Sequence, residues 1–195
     1  MGLPMKRNII VAKKAITPAL CNLIIDRCKN NFIPASVGNA TPQGQVNKKI
    51  RTSEVSFIRS VIKNLDIFIP ILQLIKYTND KFYQFDLEEP ETLQITRYDE
   101  KNQGFYEPHE DAHYDNVNPD LLVRKLSMSI QLTAPEYYKG GEFVFPDDKD
   151  KFNVEDSMEQ GTVIFFPSYI KHGVQPVTEG VRYSCVSWLL GNHFK

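Results

Sequence analysis

Leu126-Ser-Met-Ser-Ile-Gln-Leu-Thr133 alternates residue by residue. Leu126, Met128, Ile130 and Leu132 share one face, and Ser127, Ser129, Gln131 and Thr133 share the other. Side chains along a strand point alternately to its two faces, so this is a strand with one apolar side. Leu93-Gln-Ile-Thr-Arg-Tyr98 repeats the pattern, with Leu93 and Ile95 opposed to Gln94, Thr96 and Tyr98. Two readings stay open. Either the polar faces meet solvent, or the apolar faces pack beneath helices and the polar faces line a cavity. Alternation alone does not choose between them.

Around these strands the chain from residue 92 onward reads as short strands separated by turns, over 92–98, 105–111, 126–133, 142–145, 162–166, 172–177 and 182–190. Gly140-Gly141 marks a turn entering one of them. Upstream, residues 8–11 predict a strand. Thr17-Pro18 predicts an N-cap followed by proline at the first helical position, and Leu20, Leu23, Ile24 and Cys28 give an amphipathic helix over 18–30. Residues 31–47, with Gly38, Pro42 and Gly44, read as an exposed loop long enough to be functional or mobile. Residues 49–58 form a strand candidate. Asp66 caps a second expected helix running to about Phe82, with Pro70 in its first turn and Ile67, Ile71, Leu74, Ile75, Thr78 and Phe82 as its buried stripe. The expected plan is one α+β domain over 1–195, with a helical N-terminal part at 1–91 and a jelly-roll core at 92–190.

The 195 residues suffice for one substantial core, and 42% hydrophobic with 24% charged residues is ordinary for a globular protein. A net charge of −1 gives no support for broad attraction to nucleic acid or membrane. The apolar run near 67–75 is broken by Pro70 and Gln73 and is too short to span a bilayer, and the N-terminus lacks the apolar run of a signal peptide. Cys21, Cys28 and Cys185 have neither an even count nor a close metal spacing, so they read as buried free thiols in a reducing cytoplasm.

Chemistry concentrates in Gln103–Asp115, where His109 and His113 are each followed two residues later by a carboxylate, Asp111 and Asp115. On an extended segment residues i and i+2 share a face, so either pair can offer a nitrogen and an oxygen to one metal ion. His172 follows an apolar strand and a loop, and Arg182 opens the next strand ten residues later. Two imidazoles and a carboxylate compose the facial triad of non-haem Fe(II), although an N/N/O set also suits zinc. Arg182 shares a face with Ser184, Val186 and Trp188, and if buried it calls for an anionic partner such as a dicarboxylate.

Tyr98, Gly104-Phe-Tyr106-Glu-Pro-His109-Glu-Asp111, Lys125–Leu132, Gly140-Gly141, Gly161–Pro167, His172-Gly-Val and Arg182–Trp188, in that order, resemble the 2-oxoglutarate- and Fe(II)-dependent oxygenases of the prolyl 4-hydroxylase-like branch. The resemblance covers residues 92–190 and extends to the N-terminal helices only by general plan. It implies a double-stranded β-helix with the N-terminal helices packed on the outer face of the major sheet. It implies His109, Asp111 and His172 as iron ligands and Arg182 as the partner of the far carboxylate of 2-oxoglutarate. A tyrosine three residues before the ligand histidine favours His109, which follows Tyr106, over His113, leaving His113 and Asp115 beyond the iron. Tyr98, Gln131, Val174 and Trp188 would line the pocket, with Tyr98 and Gln131 as hydrogen-bond partners of 2-oxoglutarate. His193 lies past the barrel pattern.

The resemblance further implies a dioxygenase using Fe(II), 2-oxoglutarate and dioxygen, with ascorbate as reductant, that hydroxylates an unactivated C–H bond. The expected substrate is a prolyl residue in a peptide or protein; the loop at 31–47 is long enough to close over an extended peptide, and the sequence leaves open whether it does. The alternatives are a free amino acid, another small molecule or a nucleobase, or a jelly-roll binding module without catalysis.

Overall fold

The computed structural model describes residues 9–37, 46–88, 90, 92–112, 122–148 and 152–193. In chain order the elements are β1 (Ile10–Ala12), α1 (Pro18–Cys28), β2 (Ile33–Pro34), β3 (Glu54–Ile58), α2 (Leu65–Thr78), β4 (Leu93–Asp99), β5 (Tyr106–His109), β6 (Val123–Gln131), β7 (Tyr138–Gly140), β8 (Phe143–Val144), α3 (Val154–Met158), β9 (Val163–Pro167), β10 (His172–Val174) and β11 (Val177–Gly191). The larger sheet runs β1-β9-β6-β11-β4-β3-β2, with β7 paired to the start of β11, and a smaller sheet runs β5-β10-β8.

The apolar residues sort into two bodies, and this sorting settles the question left open by the alternating strands. Leu126, Met128, Ile130 and Leu132 of the β6 stretch, with Leu93 and Ile95 of β4, pack in one core with Ile24 and Cys28 of α1 and Ile67, Ile71 and Ile75 of α2. The helices therefore cover the outer face of the larger sheet. A second core between the sheets gathers Tyr98, Phe143, Phe145, Phe166, Ile170 and Val174. The polar faces of β4 and β6 turn toward that interior, where Gln94, Thr96 and Ser129 line a cavity. Register fixes the arrangement, with Arg182 opposite Tyr98 and Ser184 opposite both Thr96 and Gln131. This is a double-stranded β-helix.

Local chemistry explains the helices. Thr17 accepts the Leu20 N–H at 3.2 Å and Pro18 opens α1, so the cap forms as the sequence predicts. The second helix departs from expectation. A 3₁₀ turn at Ile62–Asn64 leads directly into it, so Asn64 rather than Asp66 holds the N-cap position and Pro70 lies inside the helix rather than in its first turn. Asp66 instead accepts the Ile67 N–H and pairs with Arg27 of α1. A π turn at Asn79–Tyr83 continues the helix past Thr78. Of the expected stripe, Ile67, Ile71, Ile75 and Thr78 are buried together with Phe68, whereas Leu74 and Phe82 are half-buried.

In the N-terminal part the strands expected at 8–11 and 49–58 form as β1 and β3, and both join the larger sheet together with β2, which was not expected. The loop expected over 31–47 contains β2, which pairs with β3 at its edge; residues 38–45 lie outside the described residues. No helix among the described residues is long and apolar enough to cross a membrane. Cys21, Cys28 and Cys185 are buried free thiols, as their spacing suggested.

Candidate active site

His109 ends β5 and His172 begins β10, and the two face each other as cross-strand partners in the smaller sheet. Gly173 permits this approach, since a Cβ there would lie 3.0 Å from the Tyr106 carbonyl oxygen and 3.1 Å from the Pro108 nitrogen. Asp111 sits just past the end of β5. Its own N–H and that of Ala112 both donate to the Ser168 carbonyl at 2.9 Å, which anchors this turn to the strand end of β9. The three side chains converge, with one ligand atom from each lying within 4.8 Å of the others. His109 Nε2 is 3.6 Å from Asp111 Oδ1 and His172 Nε2 is 3.4 Å from Asp111 Oδ2.

The hydrogen bonds around this cluster fit a metal ion. His109 Nδ1 contacts the Glu107 carbonyl at 2.9 Å and His172 Nδ1 contacts the Ile170 carbonyl at 2.9 Å. A carbonyl only accepts, so each Nδ1 carries a proton and each Nε2 is the atom turned toward Asp111, able to give its lone pair to a metal ion when the ring is neutral. Each nitrogen and the carboxylate need a proton or a metal ion between them, since a bare lone pair facing a carboxylate repels it. Burial by itself raises the Asp111 carboxyl, but the His172 and His109 imidazoles and the Ser127 hydroxyl outweigh it and hold the group below the usual carboxylate range. Burial pushes the His172 imidazole down. The set is thus an ionised carboxylate with a neutral buried imidazole, the states in which both bind a metal.

Supporting contacts fix each ligand. Ser127 Oγ donates to Asp111 Oδ2 at 2.7 Å and lies 2.9 Å from Ser168 Oγ. The Tyr106 ring stacks on His109 at 3.6 Å, and Phe143 stacks on His172 at 5.4 Å with Phe166 at 4.5 Å. Aromatic rings therefore flank both imidazoles, and all three also line the cavity. His172 is buried, whereas the His109 side chain keeps 22% exposure and faces the opening.

The cluster opens into a cavity of about 420 Å³ lined also by Tyr98, Thr96, Arg51, Arg124, Val174 and Trp188. Arg182 lies on the face of β11 that carries Ser184, Val186 and Trp188 into this lining. It is buried, and its Nη1 has no hydrogen-bond partner. Its guanidinium carbon sits 5.5 Å from the Tyr98 ring centroid, and its charge pulls down the Tyr138 phenol, which burial raises. Gly141, at φ +68°, makes room for it, since a Cβ there would lie 2.9 Å from Arg182 Cδ. A buried cation with a spare donor fits the free carboxylate of a dicarboxylate ligand.

The structure brings together His109, Asp111, His172 and Tyr98, with Arg182 on the adjoining strand face. Val174 and Trp188 line the cavity as expected. Gln131 does not. Its Nε2 donates to the Thr133 carbonyl at 2.8 Å and to the Tyr138 hydroxyl at 3.0 Å, so it reaches Arg182 only through Tyr138. His113 and Asp115 lie outside the described residues. Ser127, Tyr138 and Arg51 were not singled out by the sequence. The first belongs to an alternating strand face and the others to no motif, so only the folded register brings them to the site.

Residues 93–190 match the 2OG-Fe(II) oxygenase superfamily. The chain is 35% identical over 97 residues to a PKHD-type hydroxylase of Alteromonas mediterranea, covering 49% of this chain and 41% of that protein. It is likewise 35% identical over 81 residues to a PKHD-type hydroxylase of Shewanella baltica, covering 40% of this chain and 35% of the relative. The matches thus span less than half the length of these curated relatives. Among solved structures, the 2OG complex of a viral collagen prolyl hydroxylase from Paramecium bursaria Chlorella virus-1 superposes with a TM-score of 0.73 at 22% identity, covering 97% of this chain and 99% of that one. A Pseudomonas putida prolyl-4-hydroxylase gives 0.71 at 16% identity over 96% and 95% of the two chains. A Trichoplax adhaerens prolyl hydroxylase, in complex with a hypoxia inducible factor peptide fragment, gives 0.71 at 14% identity over 94% and 84%. These likenesses place the double-stranded β-helix, and the sequence match places the family: the chain belongs to the 2OG-Fe(II) oxygenase superfamily.

Proposed function

We propose that this protein is a 2-oxoglutarate- and Fe(II)-dependent dioxygenase that hydroxylates a prolyl residue in a peptide or protein. One observation carries the reading: an N/N/O ligand cluster and a buried guanidinium with a free donor serve the same interior face. In this reading His109, Asp111 and His172 hold the metal, and Arg182 holds the far carboxylate of 2-oxoglutarate. Tyr98, beneath the guanidinium and lining the cavity, helps to orient that carboxylate. When bound, iron with 2-oxoglutarate supplies the activation of dioxygen, one oxygen atom going to the substrate C–H bond and the other to succinate as CO₂ is lost.

The protein's own part is positioning. Ser127 fixes one oxygen of Asp111, the two backbone carbonyls fix the imidazole tautomers, and Phe143 and Phe166 flank the His172 ring. A peptide substrate is favoured by the structural relatives, which include prolyl hydroxylases, one of them in complex with a peptide fragment. His109, on the open side, then faces the substrate.

The test is chemical. Protein supplied with Fe(II), ascorbate, 2-oxoglutarate and a library of proline-containing peptides is expected to release succinate and add 16 Da to proline, and His109→Ala or Asp111→Ala to abolish both. Addition to free amino acids but to no peptide contradicts the peptide assignment, and full succinate release by the variants contradicts the ligand assignment.

A further inference from the structure

Arg51 carries a positive charge that the protein does not answer. It is 7% exposed, precedes β3 and lines the cavity that contains His109 and Asp111. Its Nε donates to Ser53 Oγ at 2.6 Å and its Nη2 to Thr96 Oγ1 at 3.5 Å, both neutral hydroxyls. A guanidinium has five N–H donors, and the remaining ones meet no acceptor among the described residues. Glu110 also lines the cavity, yet it makes no ion pair with Arg51. On a surface, water would answer such a charge. Arg51 is instead 7% exposed with its spare donors opening onto the cavity, so an anion entering there would meet a weakly hydrated guanidinium.

The proposed catalytic set does not supply that anion. A divalent metal ion and Arg182 together balance Asp111 and a dianionic cosubstrate, and of the other charges in the lining Arg51 and Arg124 exceed Glu110 by one. The position of Arg51 says where the missing charge belongs. The guanidinium carbon lies 4.5 Å from the Tyr106 ring centroid, and that ring stacks on His109 at 3.6 Å. The charge is thus two layers away from a metal-binding imidazole. Its chain neighbour Ile50 is exposed and lines the same cavity, which puts Arg51 at the mouth. Arg124, stacked at 3.8 Å on Trp188, adds a second cation to the lining.

We propose that Arg51 selects the substrate by pairing with a carboxylate one or two residues from the target, so that the preferred substrates are acidic peptides. The spacing matches: consecutive Cα atoms of an extended peptide are about 3.8 Å apart, so a side chain adjacent to the target reaches the guanidinium while the target faces the metal. This inference rests on the peptide reading of the site. The competing role for Arg51 is a brace that merely holds the Tyr106 ring on His109.

The experiment compares fluorescein-labelled proline peptides identical except for Glu or Gln beside the proline. Binding to the full chain with Fe(II) and 2-oxoglutarate is followed anaerobically by anisotropy, and kcat/KM for hydroxylation is measured in air. Wild-type protein is expected to bind the Glu peptide about tenfold or more tightly, a preference that weakens with salt. Arg51→Gln is expected to remove the preference by weakening the Glu peptide alone, and Arg51→Lys to keep part of it. Equal or absent binding of both peptides by the wild type overturns the proposal, and that comparison requires no variant to fold. Equal weakening of both peptides by Arg51→Gln also overturns it, leaving Arg51 as a brace. The two proposals fail separately. Arg51-dependent binding of acidic peptides without succinate removes the dioxygenase and keeps the anion site. Equal kcat/KM on both peptides removes the anion site and keeps the dioxygenase.

Discussion

Replacing Ser127 by alanine isolates one contact behind the metal ligands. The hydroxyl donates to Asp111 Oδ2 at 2.7 Å, and both residues are buried, at 1% and 6% exposure. Alanine fits without a clash, and the main-chain anchors from Asp111 and Ala112 to the Ser168 carbonyl remain. What is lost is one hydrogen bond to a charged acceptor, worth about 1.5–3 kcal/mol. At about 1.4 kcal/mol per decade this corresponds to roughly a 10- to 100-fold loss of metal affinity, the usual range when a contact behind a ligand is removed. Sign and pH follow from the same bond. Burial raises the Asp111 carboxyl, and His172, His109 and Ser127 together hold it low. A carboxyl lowered on folding contributes stability above its unfolded pKa, lost as pH falls through its folded value. Without Ser127 that value rises, so metal affinity in the variant declines at a higher pH than in the wild type. Anaerobic Fe(II) titration against a competing chelator from pH 7 down through the carboxylate range measures both effects. Unchanged affinity and an unchanged pH profile in a folded Ser127→Ala protein would refute the reasoning.

Other perturbations probe separate parts of the account. Arg182→Met replaces a buried guanidinium whose Nη1 has no partner, so the ligand-free Tm is expected to hold or rise while 2-oxoglutarate affinity falls by about a hundredfold; thermal shift with and without 2-oxoglutarate reads both. Gly141→Ala forces a side chain into φ +68° and against Arg182 Cδ and Val177 Cγ2, predicting a loss of about 1–3 kcal/mol in chemical denaturation together with weaker 2-oxoglutarate binding. Thr17→Ala removes the cap on α1 far from the cavity, and is expected to cost about 0.5–2 kcal/mol of stability with KM for 2-oxoglutarate unchanged. Burial pushes the Cys21 thiol up to about 11 and raises Cys28 and Cys185 as well, so a thiol reagent at pH 8 is expected to react only after the chain is unfolded.

The site was legible where a residue's type and order were enough. His109, Asp111, His172 and Arg182 each differ chemically from their neighbours, and the order in which they occur gives them meaning. The choice between the two His-x-Asp pairs rested on Tyr106, whose ring stacks on His109, while His113 and Asp115 lie outside the described residues. Ser127 was quoted only as part of a polar strand face. Nothing in Leu126–Thr133 says which of its serines meets Asp111, because that depends on how β6 lies against the turn after β5. Arg51 was invisible for a similar reason, since its meaning comes from a cavity assembled by Thr96, Tyr106 and His109 far along the chain. In the fold, periodicity found α1 and the alternating strands. It missed β2 and β7, which are two and three residues long and carry no measurable period. It also misplaced the start of α2, because a capping aspartate and an aspartate paired with Arg27 look the same in sequence.

The central claim is that one metal ion and one 2-oxoglutarate bind together on this interior face. Anaerobic titration of the protein with Fe(II) and 2-oxoglutarate tests it through the metal-to-ligand charge-transfer band of the chelate. The account predicts a band that saturates at one equivalent of each, is lost in His109→Ala, Asp111→Ala and His172→Ala, and requires far more 2-oxoglutarate in Arg182→Met. No band in the wild type, or a band unaltered in all four variants, would contradict it.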